Sequence, residues 1–208
     1  MNSESTTLYL MLSHGGWIMI PLGLCSLIAL AVIVERILWG PRQKTILPLD
    51  LASEIESLIA QEKFDIAEAI LRKTPSAYSR LVLPLLSSRN LSRAELSNLV
   101  ETLGKQEGRV MSKHLGVLST ISAVAPLLGL LGTVVGMISM FASLGNQAGV
   151  DPQLVSRGIS EALIATASGL TIAIPSLLFF RYFSSRTKHC IHALEEAVFR
   201  IFHQVAQR

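Results

Sequence analysis

Three stretches without a charged residue constrain this chain more than any other feature of its sequence. No Asp, Glu, Lys or Arg occurs from Ser5 to Val34, from Leu115 to Val150, or from Ala162 to Phe180. A helix needs about 20 apolar residues to cross the hydrocarbon core of a bilayer. Each stretch is long enough for one crossing, and the second also for an exit loop. The sequence therefore predicts an all-α integral membrane protein with three transmembrane helices.

The composition also points to lipid. Half of the residues are hydrophobic and 16% are charged, whereas roughly a quarter of the residues of a soluble domain are charged. The net charge of +3 is too small to predict a nucleic-acid partner. The chain lacks a metal-ligand spacing, a phosphate-binding glycine pattern and a set of nucleophile and base. We therefore predict neither a metal, nor a cofactor, nor an enzyme.

The first apolar stretch has a competing interpretation as a signal peptide, because it lies close to the N-terminus. It has no basic segment in front of it and no small-residue cleavage motif, and Pro21 falls early in the apolar run. We expect this stretch to remain in the protein as a membrane helix.

Basic residues predict the orientation of the three helices. None precedes Gly16 and only Arg157 lies in the loop between the second and third helices, whereas eleven lie between Gly40 and His114. The positive-inside rule then places the N-terminus outside, and the large loop and the C-terminus in the cytoplasm. The predicted order is an outer segment at 1–15, membrane helices at 16–38, 115–144 and 158–181, a cytoplasmic helical loop at 39–114, an outer loop at 145–157 and a cytoplasmic helix at 182–208.

The cytoplasmic part is predicted to be helical. Ser92 and Glu95 match a capping box, and Leu51–Ala60 and Phe64–Arg72 are predicted to form a pair of short helices, followed by a segment that Pro75 and Pro84 punctuate. We expect the second membrane helix to begin within this part. The third is expected to continue inward as an amphipathic helix with these apolar positions: Ile191, Leu194, Val198, Ile201, Phe202 and Val205.

Small and hydroxyl residues form one face on each of the last two membrane helices, at steps of three and four. On the second helix they are Ser119, Ser122, Pro126, Gly129, Thr133, Gly136 and Met140, and on the third Gly158, Ala162, Thr166, Gly169, Ala173 and Ser176. One interpretation is close helix packing, supported by the Gly132–Gly136 GxxxG unit. The other is that these faces line a passage in an oligomer, where Thr133 and Thr166 offer hydroxyl groups.

Pro126 and Pro175 each remove a backbone hydrogen bond inside a membrane helix, so each is predicted to cause either a simple packing kink or a hinge. At the ends of the helices, Glu161 is placed to form an ion pair with Arg157, and Glu35 and Arg36 are expected to reach the lipid headgroups. The middle of all three helices has no ionisable residue. Any proton acceptor at that depth is therefore expected to come from a partner.

Two segments carry a resemblance to a known family. Ala125-Pro126-Leu127-Leu128-Gly129-Leu130-Leu131-Gly132-Thr133-Val134-Val135-Gly136-Met137-Ile138 resembles the second-helix signature of the MotA, TolQ and ExbB proton channels. Gly158-Ile159-Ser160-Glu161-Ala162-Leu163-Ile164-Ala165-Thr166-Ala167-Ser168-Gly169-Leu170, followed by Ala173-Ile174-Pro175, resembles the third-helix signature. Glu35-Arg36 and the order of three helices are also similar to that family.

The resemblance implies a ring in the bacterial inner membrane, generally a pentamer, around two copies of a single-span partner of the ExbD, TolR or MotB kind. That partner carries the membrane aspartate, and proton flow drives work on a client through a TonB-like or TolA-like protein. By matching position, Thr133 and Thr166 would face the aspartate, Glu161 would lie near the channel mouth, and Pro126 and Pro175 would be kinks. Both outer segments would be periplasmic.

The size of the loop and the absence of a fourth helix favour the ExbB and TolQ branch over the MotA branch. Asp151-Pro152 at the start of the third helix favours the ExbB type. The leading hypothesis is thus a proton-channel subunit that energises outer-membrane transport. A TolQ-type subunit for outer-membrane integrity and cell division, and a purely structural membrane scaffold whose small-residue faces only pack, stay open.

Overall fold

The computed structural model describes residues 16–40, 46–144 and 152–206, and the chain is helical in these ranges, without a strand. Seven helices lie wholly within them: α1 (Met19–Trp39), α2 (Leu49–Ala60), α3 (Phe64–Lys73), α4 (Ala77–Ser87), α5 (Arg93–Met111), α6 (Leu115–Leu144) and α7 (Pro152–Ala206). The predicted all-α fold is confirmed.

Three of these helices are long and apolar enough to cross a membrane. They are α1, α6 over Leu115–Ala142, and α7, whose apolar window lies within Val155–Val205. The 55 residues of α7 correspond to a length of roughly 80 Å, more than twice the thickness of the hydrocarbon core. One part of α7 therefore crosses the bilayer, and the predicted amphipathic continuation forms the rest.

The chain divides into two compact units, and the first contains the apolar helices. It comprises the described residues up to Glu35 together with 114–182. Its buried contacts join α1, α6 and α7 through these side chains: Ile18, Leu22, Ala29, Ile121, Ala125 and Ala173, and separately Val32, Ile33 and Leu118. Large apolar side chains such as Ile20 and Leu24 of α1 and Leu127 of α6 stay exposed. This distribution suits a helix group that is surrounded by lipid.

The second unit comprises 36–113 and the chain from Phe183 onward. Helices α2 to α5 and the last part of α7 share one apolar core, in which Tyr78, Ile55 and Ile201 are fully buried. Arg80 donates through Nε and Nη2 to both carboxylate oxygens of Glu107 at 2.6 and 2.7 Å. This hydrogen bonding raises the pKa of Arg80 and joins α4 to α5.

Several sequence predictions for the second unit are confirmed. Ser92 and Glu95 form the capping box at the start of α5, and the predicted helix pair is present as α2 and α3. The apolar positions predicted on the C-terminal part of α7 are buried or partly buried in the core. The prediction that Pro84 punctuates this region is wrong, because Pro84 lies inside α4. The buried side chains Leu81, Val82, Leu85 and Leu86 hold the helix together across the missing hydrogen bond.

The sequence predicts that the second membrane helix begins within the cytoplasmic part. In the structure, the helix of the cytoplasmic part and the apolar helix are two separate helices. Helix α5 ends at Met111 and α6 begins at Leu115, at the first residue of the uncharged stretch. His114 between them has a φ of +65°, a left-handed conformation that interrupts a right-handed helix. A short break therefore separates α5 from α6, whereas α7 runs without interruption.

Some sequence predictions fall outside the described residues. These are the outer segment 1–15, most of the loop 145–157, and the last two residues of the C-terminal helix. The start of α7 at Pro152 agrees with a proline at the first helical position.

Candidate functional site

Helices α6 and α7 approach each other most closely where two glycines meet. A Cβ atom placed on Gly169 would lie 2.6 Å from the carbonyl oxygen of Ala125 and 3.1 Å from Cα of Gly129. One placed on Gly129 would lie 3.0 Å from the carbonyl oxygen of Ala165 and 3.1 Å from Cα of Thr166. The neighbours are backbone atoms, which cannot move aside. Only glycine fits at position 169, and a Cβ atom at position 129 would force the two backbones apart by a few tenths of an ångström.

The same contact continues along both helices in opposite directions. Gly132 faces the methyl group of Ala165, and a Cβ on Gly136 would lie 3.2 Å from Cβ of Ala162. Further on, Gly158 lies against Met140. Because increasing numbers on α6 meet decreasing numbers on α7, the two helices are antiparallel. The structure places Gly129, Gly132, Gly136, Ala162 and Gly169 in this interface, where all five are buried.

Two threonine hydroxyls lie on this helix pair and engage backbone carbonyls in different ways. Thr166 Oγ1 on α7 donates across the interface to the carbonyl oxygen of Gly129 at 3.2 Å. Thr133 Oγ1 donates within α6 to the carbonyl oxygen of Leu130 at 2.7 Å. Both residues are half-buried, and each hydroxyl oxygen keeps acceptor capacity while it donates. The pair thus offers polar groups in a part of the chain that has no ionisable residue.

The two prolines lie inside continuous helices. Pro126 is within α6 and half-buried, and Pro175 is within α7 and exposed. Next to Pro175, the buried Ser176 donates to the carbonyl oxygen of Ile172 at 2.7 Å. Ala173 is buried in the cluster that joins α1, α6 and α7. A kink or hinge at either proline stays a prediction.

Glu161 contacts the start of α1 instead of forming the ion pair with Arg157 that the sequence suggests. Its carboxylate lies against Gly16, and any Cβ on Gly16 would overlap Oε1 of Glu161. Gly16 also has a φ of +66°, which favours glycine. Within the described residues, Arg157 and Glu161 form no ion pair within 4.0 Å. The reason is tertiary packing, which brings Glu161 to the amino end of another helix, where a negative charge is favoured.

At the other end of α1, Glu35 and Arg36 contact other residues of the protein, and their contact with lipid headgroups stays a prediction. Nδ1 of His114 lies 2.8 Å from Oε2 and 3.0 Å from Oε1 of Glu35. Arg36 is buried, and its Nη1 donates to the carbonyl oxygen of Met111 at 3.0 Å. Both residues are engaged within the protein because the chain supplies an imidazole and the free carbonyl at the end of α5.

Sequence patterns alone did not single out His114, Gly16 and Ala165. A left-handed φ at His114, the contact between Gly16 and Glu161, and the position of Ala165 opposite Gly132 all depend on residues distant in the chain. Of these three residues, Gly16 alone has a local sequence signal, because it directly precedes an apolar stretch. In the described part of the chain, His, Cys, Asp and Glu side chains form no group of three or more that could hold a metal ion.

A family model supplies independent information on this helix pair. Residues 62–196 match the model described as MotA/TolQ/ExbB proton channel family. The matched range includes all of α6 and the interface part of α7. It therefore contains every close contact described above between these two helices.

Individual relatives agree with this match. The chain is 30% identical over 174 residues to the putative biopolymer transport protein ExbB-like 3 of Synechocystis, covering 82% of each protein. It is 35% identical over 170 residues to ExbB-like 1 of the same organism, covering 80% of this chain and 66% of that protein. It is 38% identical over 85 residues to the biopolymer transport protein ExbB of Pseudomonas putida, covering 41% of this chain and 26% of that protein.

Proposed function

We propose, from the premise that the chain belongs to the MotA/TolQ/ExbB proton channel family, that it is an ExbB-type subunit of a motor in the bacterial inner membrane. The three apolar helices and the family make it a multi-pass membrane protein. In the proposed role, the proton motive force drives proton flow through the assembly. The energy is passed to outer-membrane transport through a TonB-like protein. The relatives named ExbB and ExbB-like support this type over the TolQ type.

The observation that carries the proposal is the pair of threonine hydroxyls in the tightly packed stretches of α6 and α7 that have no charged residue. Thr133 and Thr166 hold their hydroxyls on carbonyls of α6. No ionisable side chain interrupts the uncharged stretches of α6 and α7. A channel that moves protons needs a titratable group at depth. The chain therefore supplies polar surroundings for a carboxyl group that another protein brings.

That other protein is proposed to be a single-span membrane protein of the ExbD or TolR kind, with one aspartate in its membrane helix. Five copies of the present chain would surround two copies of this partner. In such a ring, Thr133 and Thr166 would face the aspartate, and Glu161 would lie near the outer mouth of the path. Close packing at Gly129 and Gly169 would keep each α6–α7 pair stiff while the partner moves.

Proton flux into vesicles tests the proposal directly. The chain is co-purified with the single-span partner and reconstituted in liposomes that contain a pH-sensitive dye, and a potassium diffusion potential is then imposed. We expect proton entry that is lost when the partner's membrane aspartate is replaced by asparagine. Absence of flux would favour the structural scaffold, and flux that survives this replacement would contradict the role of the partner's aspartate. Deletion of the gene in its host separates the two motor types, because an ExbB type predicts loss of energised uptake and a TolQ type predicts a leaky envelope.

Cysteine labelling checks the proposed orientation. A cysteine at Ser3 should react with a membrane-impermeant maleimide added to intact spheroplasts, because the positive-inside rule places this end outside. A cysteine at Ser88, which follows α4 in the basic loop, should react only after the membrane is opened. The reverse labelling pattern would invert the orientation and remove the assignment of the outer mouth.

A further inference from the structure

An open groove of about 480 Å³ lies on the surface of the first unit, where α1 meets the start of α6. Its lining residues are Ile28, His114, Gly116, Val117, Thr120 and Ile121. Ile28 and Val117 are each 38% exposed, although both are large apolar side chains. In a unit that spans the bilayer, such a groove is filled either by a lipid chain or by another protein.

The glycine at position 116 helps to open this groove. A Cβ atom on Gly116 would meet no atom within 4 Å, and its φ does not lie in the left-handed region. Neither packing within the chain nor backbone conformation therefore requires a glycine here, although glycine makes a helix less stable than alanine does. The space that Gly116 leaves is part of the groove.

The groove has a polar end and an apolar remainder. His114 forms the polar end, and Ile121 lies seven residues beyond it, which corresponds to about 10 Å along a helix. Ile28 of α1 lines the same apolar part. The hydroxyl of Thr120 donates to the carbonyl oxygen of Gly116 at 3.0 Å, so its hydrogen is already bonded within α6. This division matches a phospholipid, which has a polar headgroup and an apolar chain.

The imidazole of His114 has one nitrogen that the protein holds and one that a ligand can reach. Nδ1 lies 2.8 and 3.0 Å from the two carboxylate oxygens of Glu35. A carboxylate only accepts hydrogen bonds, so Nδ1 carries a hydrogen. Nε2 has no hydrogen-bond partner among the described residues, and the side chain is 39% exposed. When the ring is charged, Nε2–H can donate to a phosphate oxygen.

The charged residues around this end of the first unit favour an anionic ligand. Two basic residues, Arg36 and Lys113, adjoin Glu35 and His114 in the sequence. A third, Arg181, follows the α7 residue that packs against α1 and α6. The acidic residue of these segments is Glu35, so their summed formal charge is positive even with a neutral imidazole. Basic residues at a membrane surface attract anionic lipids.

We propose that this groove binds one anionic phospholipid of the cytoplasmic leaflet. One acyl chain lies along Ile28, Val117 and Ile121, and the phosphate accepts a hydrogen bond from Nε2–H of the charged His114. Glu35 keeps the ring in position through Nδ1. The bound lipid is a structural ligand that α1 and α6 share. The choice of leaflet rests on the proposed orientation, whereas the site itself does not depend on proton conduction.

Native mass spectrometry of the purified assembly tests the site. The assembly is stripped of lipid in detergent and titrated with phosphatidylglycerol, or with phosphatidylethanolamine that carries the same acyl chains. We expect phosphatidylglycerol to bind at up to one molecule per chain. Its affinity should exceed that of the zwitterionic lipid by roughly fivefold, because the basic residues act on its net charge.

Leucine at position 116 tests the groove. Gly116→Leu places a side chain in the space that the lipid needs, and we expect it to abolish the binding of phosphatidylglycerol. Gly23→Leu is the matched control, because a Cβ on Gly23 also meets no atom within 4 Å and Gly23 does not line the groove. This control should bind the lipid as the unmodified protein does. The melting temperature of each variant shows whether it is folded.

Asparagine at position 114 tests the headgroup contact without filling the groove. It tolerates a left-handed φ and can donate to Glu35, but it carries no positive charge. We expect His114→Asn to bind phosphatidylglycerol about tenfold more weakly, as for loss of a hydrogen bond between charged groups. Histidine changes its charge between about pH 5 and pH 8, so the affinity of the unmodified assembly should fall as the pH rises through this range, and that of His114→Asn should not. The neighbouring groups that keep one charge state in most of this range are Glu35, Arg36, Lys113, Arg181 and Tyr182.

Two results would overturn the site. Equal binding of both lipids that neither Gly116→Leu nor His114→Asn changes would indicate a general lipid shell. Unchanged lipid binding with fewer chains per ring in Gly116→Leu would identify the groove as a contact between copies of this chain. If Gly116→Leu does not fold, the affinity and pH dependence of His114→Asn decide. Loss of this lipid site would leave the proposed function standing, because proton flux is measured separately.

Discussion

Replacement of Gly169 by alanine is expected to destabilise this chain strongly and to weaken its assembly. The added Cβ would meet the carbonyl oxygen of Ala125 at 2.6 Å and Cα of Gly129 at 3.1 Å. Overpacking usually costs about 1–3 kcal/mol, and a contact with backbone on both sides belongs at the upper end. Loss of close approach also removes the hydrogen bond from Thr166 to Gly129. We expect a stability loss of about 3 kcal/mol.

Thermal unfolding in detergent and native mass spectrometry measure this effect. The unmodified chain should give a defined ring with a mass of five copies, and Gly169→Ala should give a lower melting temperature and little or no ring. Gly116→Ala and Gly23→Ala are matched controls, because a Cβ at either position meets no atom within 4 Å. A Gly169→Ala protein that is as stable and as oligomeric as these controls would contradict the close packing of α6 and α7.

The features that sequence predicts well in this chain are the ones that depend on nearby residues. The capping box of Ser92 and Glu95 spans one helical turn, and the apolar stretches report the membrane helices through their length alone. The small-residue face of α6 is also visible, because helical steps of three and four repeat along it. Such patterns identify a helix face with a distinct composition, but they do not show which residues contact it.

The features that sequence does not predict depend on contacts between distant segments. Nothing near His114 indicates a left-handed residue, because the conformation is supported by Glu35 on another helix. Glu161 has a basic residue one turn before it, yet its carboxylate lies against Gly16. Thr133 and Thr166 look equivalent in sequence, but one donates within its own helix and the other across the interface. Tertiary packing decides each case.

The difference between these two hydroxyls makes valine substitution informative. Valine has the shape of threonine without the hydroxyl, so Thr133→Val and Thr166→Val each remove one hydrogen bond to a backbone carbonyl. Such a bond contributes on average about 0.6 kcal/mol in a membrane bundle. Both variants should therefore form the ring and retain the partner. Thr166→Val should be the less stable of the two, because its bond joins two helices.

Proton flux is expected to respond far more strongly than assembly. To solvate the partner's ionised carboxyl group, each threonine must turn its single hydroxyl hydrogen from the backbone carbonyl to the carboxylate. Each valine substitution then removes a hydrogen bond to a charged group, and such a bond is worth about 1.5–3 kcal/mol. One tenfold change in rate corresponds to about 1.4 kcal/mol. We expect the flux of each valine variant in reconstituted vesicles to fall by roughly tenfold to a hundredfold, and serine at either position to retain much of it.

A third threonine serves as a control, because its hydroxyl group lies away from the small-residue face. Thr171 on α7 also donates to a backbone carbonyl, that of Ala167 at 2.8 Å, but its side chain is exposed and lies outside the small-residue face. Thr171→Val should therefore leave the flux nearly unchanged. If the valine variants at 133 and 166 assemble with the partner and conduct protons as well as Thr171→Val does, these two hydroxyls serve packing alone. The polar surroundings of the partner's aspartate must then come from other groups, because α6 and α7 offer no ionisable side chain at that depth.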